Sequence, residues 1–222
     1  LSIRRQRQMC IRDRNGQESP EYFSAIRNNA RPVLVAASTR EGEEEKVLAA
    51  FKKCIAEIPT LLLILIPRHP ERFARASRLS EEAGLTILKR SDGGVVGQNI
   101  QVLIGDSMGE MLDYYSVATI AFVGGSLVET GCQNVLEPAA LGVPILVGPS
   151  QYNFATICKQ LEQVGGLKTV KNETELAGSL ISLMADEKTR QKMGECGRQL
   201  VRENQNALPA LMKLVDPLIQ KV

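Results

Sequence analysis

From Arg31 onward, short apolar runs alternate with amphipathic stretches, and this alternation restricts the fold more than any other feature of the sequence. The runs have the length of strands, and the stretches between them have the spacing of surface helices. Such a pattern is typical of βα units, which build a doubly wound, mostly parallel sheet with helices on both faces. We therefore predict a Rossmann-like α/β fold. The predicted strands are Val33–Ala37, Leu61–Ile66, Thr86–Lys89, Gln101–Ile104, Thr119–Val123, Pro144–Val147 and Leu167–Val170.

Helix boundaries follow from acids, prolines and glycines beside the amphipathic stretches. The first predicted helix, Glu41–Ile58, has acids in its first turn and Pro59 after its end. The second, Pro70–Ala83, is followed by Gly84, which suits a left-handed residue after a helix. Ser91–Asn99 holds three glycines without periodicity and is predicted as a flexible loop. The later predicted helices are Gly109–Tyr115, Val135–Leu141, Phe154–Val164, Glu173–Met184, Glu187–Glu203 and Ala207–Ile219.

Basic residues are concentrated at the start of the chain. Residues 1–14 hold five arginines and one aspartate, whereas the whole chain of 222 residues has a formal net charge of only +2, so the rest is slightly acidic. This distribution gives no indication of a nucleic-acid partner. We interpret residues 1–14 as a non-native tail, residues 15–30 as a linker or the remnant of an interdomain segment, and residues 31–222 as one domain.

Cysteine and histidine usage predicts no metal site and no cofactor. The five cysteines form no CxxC motif, and His69 is the only histidine. The longest aliphatic run, Leu61–Ile66, is far shorter than the roughly 20 residues that span a membrane. The start of the chain also lacks the apolar segment of a signal peptide. We expect a soluble chain in a reducing compartment.

Polar residues follow the first two predicted strands, at the edge where a doubly wound sheet binds its ligand. Ser38 and Thr39 open the loop after the first strand, where they either cap the next helix or face an anionic ligand. Arg68 and His69 follow the second strand. Arg68 is placed to hold a phosphate or carboxylate, and pairing with a surface acid is the alternative.

The loop after the fourth predicted strand, residues 105–111, has the sequence GDSMGEM. Gly109 allows a ligand to approach the backbone, and Met108 offers an adaptable apolar face to a planar base. The same residue types are common at helix starts, so this loop does not identify a ligand by itself.

The most informative loop follows the fifth predicted strand and runs from Gly124 to Glu137. Its glycines allow backbone amides to point at a phosphate, and Asn134 lies at a predicted helix start, where anions are favoured. Glu137 is placed to accept hydrogen bonds from both hydroxyls of a ribose. The glycine pattern is not GxGxxG, and no P-loop motif occurs, so an NAD site and a P-loop are both disfavoured.

Four motifs occur in one order: STREGEE from residue 38, PRHPERF from residue 67, GDSMGE from residue 105, and FVGGSLVETGCQNVLEPAALGVPILVGP from residue 122. Together they resemble the lipopolysaccharide Kdo (3-deoxy-D-manno-octulosonic acid) transferases of Gram-negative bacteria. The resemblance covers about residues 31–220. It implies that residues 31–222 are the C-terminal, nucleotide-sugar-binding domain of a GT-B glycosyltransferase.

The resemblance implies a set of donor-binding residues, with CMP-Kdo as the donor substrate. Arg68 would meet the phosphate or acid groups of the donor, and Asn134 and Glu137 would hold its phosphate side and its ribose. Met108, Gly109 and Glu110 would border the cytidine, Gly124, Gly125 and Ser126 would approach the phosphate, and Ser38 completes the set.

Two positions depart from the pattern of the family. Arg40 stands where the family often has His, and Cys132-Gln133 stands where Gly-His is common. Gln133 is still able to donate a hydrogen bond, so we expect a site that differs in detail and keeps its function.

The resemblance implies an activity for the complete protein, which would transfer Kdo from CMP-Kdo to a lipid A precursor at the cytoplasmic face of the inner membrane. The acceptor site, the catalytic carboxylate and the membrane anchor would belong to an N-terminal half that this chain lacks. We therefore expect no catalytic residue in this chain, which would be inactive alone. Two alternatives stay open: a non-catalytic module that binds a nucleotide sugar, and a GT-B-type nucleotide-sugar epimerase, for which His69 is the one acid–base candidate.

Overall fold

Seven strands form one sheet in the computed structural model, which describes residues 21–219 and their side chains as far as residue 204. The predicted tail at residues 1–14 lies outside the described residues. The strands are β1 (Val33–Thr39), β2 (Leu62–Pro67), β3 (Ile87–Lys89), β4 (Val102–Ile104), β5 (Ile120–Val123), β6 (Ile145–Val147) and β7 (Leu167–Thr169). Each of them overlaps a predicted strand, so the strand predictions are confirmed.

Helices connect these strands and cover the sheet. The α-helices are α1 (Glu21–Asn28), α2 (Glu43–Glu57), α3 (Phe73–Glu82), α4 (Met111–Ser116), α5 (Leu136–Ala140), α6 (Ala155–Gln163), α7 (Glu173–Ala185) and α8 (Glu187–Ile219). Short 3-10 turns are Pro70–Arg72, Arg90–Asp92 and Tyr152–Phe154. No helix between residues 21 and 219 combines the length and apolar character that crossing a membrane requires.

The sheet order is β3-β4-β2-β1-β5-β6-β7, and all neighbouring strands are parallel. β1 lies in the middle, with β2 on one side and β5 on the other. The chain therefore passes from β1 to β2, continues to β3 at the edge, returns to β4, and then crosses to β5, from which it winds outward in the other direction. β1 and β5 are the neighbours at which the winding changes direction, and doubly wound sheets bind ligands outside the carboxyl ends of the strands near such a point. The predicted doubly wound fold is confirmed.

Both faces of the sheet are buried, which explains why the strands are apolar throughout. Leu34 of β1 packs in a core on one face together with Phe51 of α2. Val35, the next residue of β1, packs on the other face together with Phe23 of α1 and Tyr114 of α4. Successive side chains of a strand point to opposite faces. In a strand that is covered on both faces, apolar residues therefore follow one another and do not alternate with polar ones.

One helix was not predicted, and one helical prediction needs correction. Residues 21–28, which lie in the segment that we interpreted as a linker or the remnant of an interdomain segment, form α1, and its Phe23 and Ile26 are buried in the core. At the other end of the chain, the predicted break between two helices at residues 204–206 is wrong, because α8 continues from Glu187 to Ile219. These three residues include no glycine or proline, so the break that we predicted there contains no helix-breaking residue.

Candidate functional site

An open cleft of about 210 Å³ lies at the carboxyl edge of the sheet. Four strand-end segments form its walls: the end of β1, the end of β2, the loop after β4, and the loop between β5 and α5. Its lining residues are Ser38, Ile66, Pro67, Arg68, Phe73, Ser107, Met108, Gly109, Met111, Tyr114, Gln133, Asn134 and Glu137. The cleft therefore lies at the sheet edge where both the sheet topology and the polar loops predicted a ligand site.

Six of the ten predicted donor-binding residues line this cleft, and four do not. Those that line it are Ser38, Arg68, Met108, Gly109, Asn134 and Glu137. The four outside the lining are Glu110, Gly124, Gly125 and Ser126. The difference has a local cause in each case, because these four residues are engaged by other parts of the protein.

A buried carboxylate occupies the backbone amides of the glycine loop after β5. Glu43, in the first turn of α2, is 0% exposed. Its Oε1 accepts hydrogen bonds from the amides of Ser126 (3.0 Å) and Leu127 (2.8 Å), and its Oε2 accepts from those of Gly125 (2.6 Å) and Arg40 (3.1 Å). Burial raises the pKa of Glu43, and the four amides act in the opposite direction.

The expectation that the amides of the glycine loop hold a phosphate is therefore corrected. The amides of Gly125 and Ser126 already bind Glu43, and the amide of Gly124 donates to the carbonyl of Ala37 at 2.8 Å. A β-carbon at Gly124 would lie 2.7 Å from Glu43 Oε2, so glycine is needed there for the close approach of the two loops. The loop is a structural joint between β1 and β5.

The neighbouring acid, Glu44, fixes the other side of the same turn. It is 0% exposed and accepts hydrogen bonds from Arg72 Nη2 at 2.8 Å and from Thr39 Oγ1 at 3.1 Å. Arg72 comes from the segment after β2, so Glu44 joins the ends of β1 and β2. Thr39 thus binds a protein carboxylate and does not cap α2, whose N-cap residue is Gly42.

Ser38 lies in a strained conformation at the end of β1. Its φ is 57°, in the left-handed region, and the pairing of β1 with β2 changes register between Ala37 and Thr39. Residues other than glycine rarely adopt this conformation, and it persists only where the surroundings impose it. Here the bonds of Thr39 and Arg40 to the two glutamates of α2 fix the turn, so that Ser38 lines the cleft.

Among the residues that the structure describes, Arg68 is the only one with a cationic side chain that lines the cleft. It is half-buried, and no acid within the described side chains forms an ion pair with it. The alternative in which Arg68 pairs with a surface acid is therefore not found among those residues. Beside it, Arg40 Nη1 lies 2.7 Å from His69 Nε2 and acts as the donor, because a guanidinium has no acceptor.

Asn134 and Glu137 lie on the opposite wall, at the start of α5. The side-chain oxygen of Asn134 accepts a hydrogen bond from the amide of Leu136 at 3.1 Å, which fixes the amide group at the entrance of the helix. Glu137 is in the first turn and lines the cleft. Burial raises the pKa of Tyr115 well above its ordinary value, and the charge of Glu137 adds to the rise. The two residues meet at one wall, as their spacing predicted.

Two buried cysteines form a contact next to this wall. Cys132 Sγ and Cys158 Sγ lie 3.5 Å apart, and both residues are 0% exposed. The hydrogen bond between the thiols lowers the pKa of Cys132 and raises that of Cys158. The contact packs the segment that carries Gln133 and Asn134 against α6. Cys132 therefore acts in packing, and it occupies a position where we noted a departure from the family pattern.

Comparison with known proteins identifies the family. The family model described as "Glycosyl transferases group 1" matches residues 45–200. This chain belongs to the group 1 glycosyl transferases. The match includes every strand after β1 and most of the cleft, so the glycosyltransferase assignment rests on the part of the chain that forms the site.

Within this family, the glycosyltransferase is a homologue of Kdo transferases. It is 38% identical over 192 residues to the 3-deoxy-D-manno-octulosonic acid transferase of Haemophilus influenzae, a match that covers 86% of this chain and 45% of the relative. It is 39% identical over 172 residues to the enzyme of the same name from Bordetella pertussis, covering 76% of this chain and 40% of that relative. The chain thus spans less than half the length of these curated relatives.

A solved structure confirms the GT-B C-terminal domain fold of the glycosyltransferase. The C-terminal CMP-Kdo binding domain of WaaA from Acinetobacter baumannii matches with a TM-score of 0.74 and 29% identity. The match covers 81% of this chain and 98% of that domain. The part of this chain that matches therefore has the fold of a known whole domain.

Several residues that line or support the cleft were not predicted from the sequence. Phe73, Ser107, Met111 and Tyr114 line the cleft, and Glu43 holds its two central loops together. The acids of the STREGEE motif were the available signal for Glu43, but we interpreted them as the acidic first turn of a helix. Burial alone distinguishes the two interpretations, and burial depends on the pairing of β1 with β5.

Proposed function

We propose that this chain is the donor-binding half of a Kdo transferase and that its cleft holds the CMP portion of CMP-Kdo. The observation that carries the proposal is the Arg68 guanidinium, which lines the cleft without an acid partner among the described side chains. A cation in this state suits the phosphate of a nucleotide sugar. The similarity to a CMP-Kdo binding domain supports this choice of ligand.

The walls of the cleft suggest which parts of the nucleotide they meet. Arg68 lies at the end of β2 and is assigned to the phosphate. Glu137 lies on the opposite wall, where its carboxylate is placed to accept hydrogen bonds from the ribose hydroxyls. Met108 and Gly109 form a third wall, and we assign them to the cytosine, since a thioether packs well on a planar ring.

In the complete protein, the proposed reaction breaks the bond between the anomeric carbon of Kdo and a phosphate oxygen of CMP. A hydroxyl of the lipid A precursor forms the new bond to that carbon and gives its proton to a base in the other half of the protein. The phosphate of the departing CMP gains negative charge as the bond breaks. Arg68 stabilises that charge more strongly in the transition state than in the bound donor.

By the same resemblance, we propose that the complete protein works at the cytoplasmic face of the inner membrane in lipopolysaccharide biosynthesis. The acceptor would be bound by the half of the protein that this chain does not include. The chain alone is expected to bind CMP and to transfer no Kdo. Calorimetric titration of the chain with CMP tests the proposal directly, and absence of binding at millimolar CMP would contradict it.

Replacing Glu137 with alanine is expected to weaken CMP binding by about tenfold, because a charged acceptor for two ribose hydroxyls is lost. The preference for CMP over 2′-deoxy-CMP should shrink in the same variant. Calorimetry with both nucleotides measures this effect. Glu129→Ala is the matched control, because Glu129 belongs to the same loop but is exposed outside the cleft. Equal CMP affinity in Glu137→Ala and wild type would exclude the ribose role.

Replacing Arg68 with alanine is expected to weaken CMP binding by about 30-fold and cytidine binding by less than about threefold, because only CMP carries the phosphate. Arg68→Lys should fall between the two, since lysine keeps the charge without the planar fork. Arg75→Ala is the control, because Arg75 pairs with Glu45 on the surface at 3.4 Å. Equal losses for CMP and cytidine in Arg68→Ala would refute the phosphate assignment.

A further inference from the structure

Arg90 lies outside the cleft but contacts the segment that forms one of its walls. Its Nη2 donates to Glu110 Oε1 at 2.9 Å, and both side chains are 22% exposed. The guanidinium also stacks on an aromatic pair of α1, at 4.1 Å from the ring centre of Tyr22 and 5.7 Å from that of Phe23. Arg90 is thus held on one side by α1 and holds Glu110 on the other.

The contact of Arg90 with Glu110 is one link in a chain of side-chain hydrogen bonds. Glu110 accepts a hydrogen bond from Ser107 Oγ, and Ser107 Oγ lies 2.7 Å from the hydroxyl of Tyr114. The ring of Tyr114 packs edge-on against Phe23 of α1, with ring centres 5.0 Å apart. The network therefore begins and ends at α1, and it passes through both Ser107 and Glu110.

The residue after Arg90 secures the start of the same loop. Ser91 donates to Asp106 through its amide at 2.8 Å and through its hydroxyl at 2.6 Å. The 3-10 turn Arg90–Asp92, at the end of β3, consequently binds the loop at Asp106 and again at Glu110. These two attachments flank Met108 and Gly109, which are the wall that we assign to the cytosine.

Met108 and Gly109 have little support of their own. Met108 is 68% exposed, and a β-carbon built at Gly109 would meet nothing within 4 Å. The φ of Gly109 is 84°, a left-handed value that glycine adopts without strain. Glycine has no side chain that could pack against neighbouring residues. The position of this wall therefore depends on the attachments on either side of it.

We propose that Arg90 is a positioning residue for nucleobase recognition: through Glu110 and Ser107, it holds the Met108–Gly109 wall against the base of a bound nucleotide. This inference rests on the proposed function. It also changes the role of Glu110, which we first placed at the cytidine. Glu110 acts through its ion pair and does not line the cleft.

The test is a comparison of CMP and cytidine binding by calorimetry at a temperature where every variant is folded. Arg90→Ala is expected to weaken both ligands by the same factor, about tenfold, since both carry the base. This pattern differs from that of Arg68→Ala, which is expected to weaken CMP binding much more than cytidine binding. Arg90→Lys should recover part of the loss because it restores the pair with Glu110.

Hydrogen exchange provides a second measurement that needs no ligand. Arg90→Ala should speed amide exchange in residues 105–110 and leave the strands of the sheet unchanged. Tyr22→Phe keeps the ring under the guanidinium and should behave as wild type, whereas Tyr22→Leu should loosen the same loop to a smaller extent. Arg75→Ala again serves as the control.

The outcomes separate this inference from the proposed function. If the wild-type chain binds neither CMP nor cytidine, the proposed function is wrong. If the wild-type chain binds both and Arg90→Ala binds them equally well, the proposed function stands and the positioning role of Arg90 is overturned. A loss for CMP with no loss for cytidine would also overturn it, because the effect would then concern the phosphate.

Discussion

Glu43→Ala is expected to lower the free energy of unfolding by about 4 kcal/mol, because four backbone amides lose their acceptor at once. Three of these hydrogen bonds, those from Gly125, Ser126 and Leu127, are buried, so water does not replace the carboxylate without cost. The lost bonds join the turn after β1 to the loop after β5. We therefore expect a weaker cleft as well as a less stable fold.

Urea unfolding followed by circular dichroism measures this loss, and the midpoint should fall by about 2 M. Glu45→Ala is the matched control from the same turn of α2, because Glu45 forms a surface pair with Arg75 and its side chain is 44% exposed. Its effect should be within about 0.5 kcal/mol of zero. Similar midpoints for the two variants would show that the carboxylate of Glu43 does not hold the two loops together.

Gly194→Ala is expected to destabilise the fold by about 3 kcal/mol or more, although alanine favours helices over glycine. Gly194 is buried in α8, and a β-carbon there would overlap the carbonyl oxygen of Gly142. Gly142 follows α5, the helix that carries Glu137. The β-carbon clashes with a backbone atom, which has no rotamer to relieve the overlap, so α8 has to move outward.

Gly178→Ala is the control with the opposite expected sign. Gly178 is also inside a helix, α7, but it is exposed and a β-carbon there would meet nothing within 4 Å. This variant should gain about 0.5–1 kcal/mol from helix propensity alone. Thermal unfolding of both variants is a direct comparison of the same substitution in two surroundings. Equal stabilisation by both would mean that α8 does not pack on the turn after α5 as described.

The strands were predictable from the sequence mainly because the central ones, such as β2 and β5, are buried on both faces. Leu62–Pro67, for example, is buried along its whole length. The carboxyl edge was predictable for the same reason, since parallel strands bring their following loops to one side. Arg68 and Glu137 therefore met at one cleft although they are distant in sequence.

The bonding within the site was not predictable in this way. Glycines at 124 and 125 indicated amides that point at a phosphate, and the acids after Thr39 indicated the first turn of a helix. Each interpretation is reasonable for its own loop. The structure joins the two loops, because β1 and β5 are neighbours, and the acid of one then satisfies the amides of the other. Local sequence contains no information about which loops become adjacent.

The central position of β1 also has a consequence for biosynthesis of the protein. β1 pairs with β2 on one edge. Its other edge pairs with β5, which follows β2, β3 and β4 in the chain. During translation, that edge has unpaired N–H and C=O groups on an apolar strand until β5 leaves the ribosome. Nascent chains of this topology are open to edge-to-edge aggregation for that interval, and chaperone binding to the emerging β1–β4 segment would protect them.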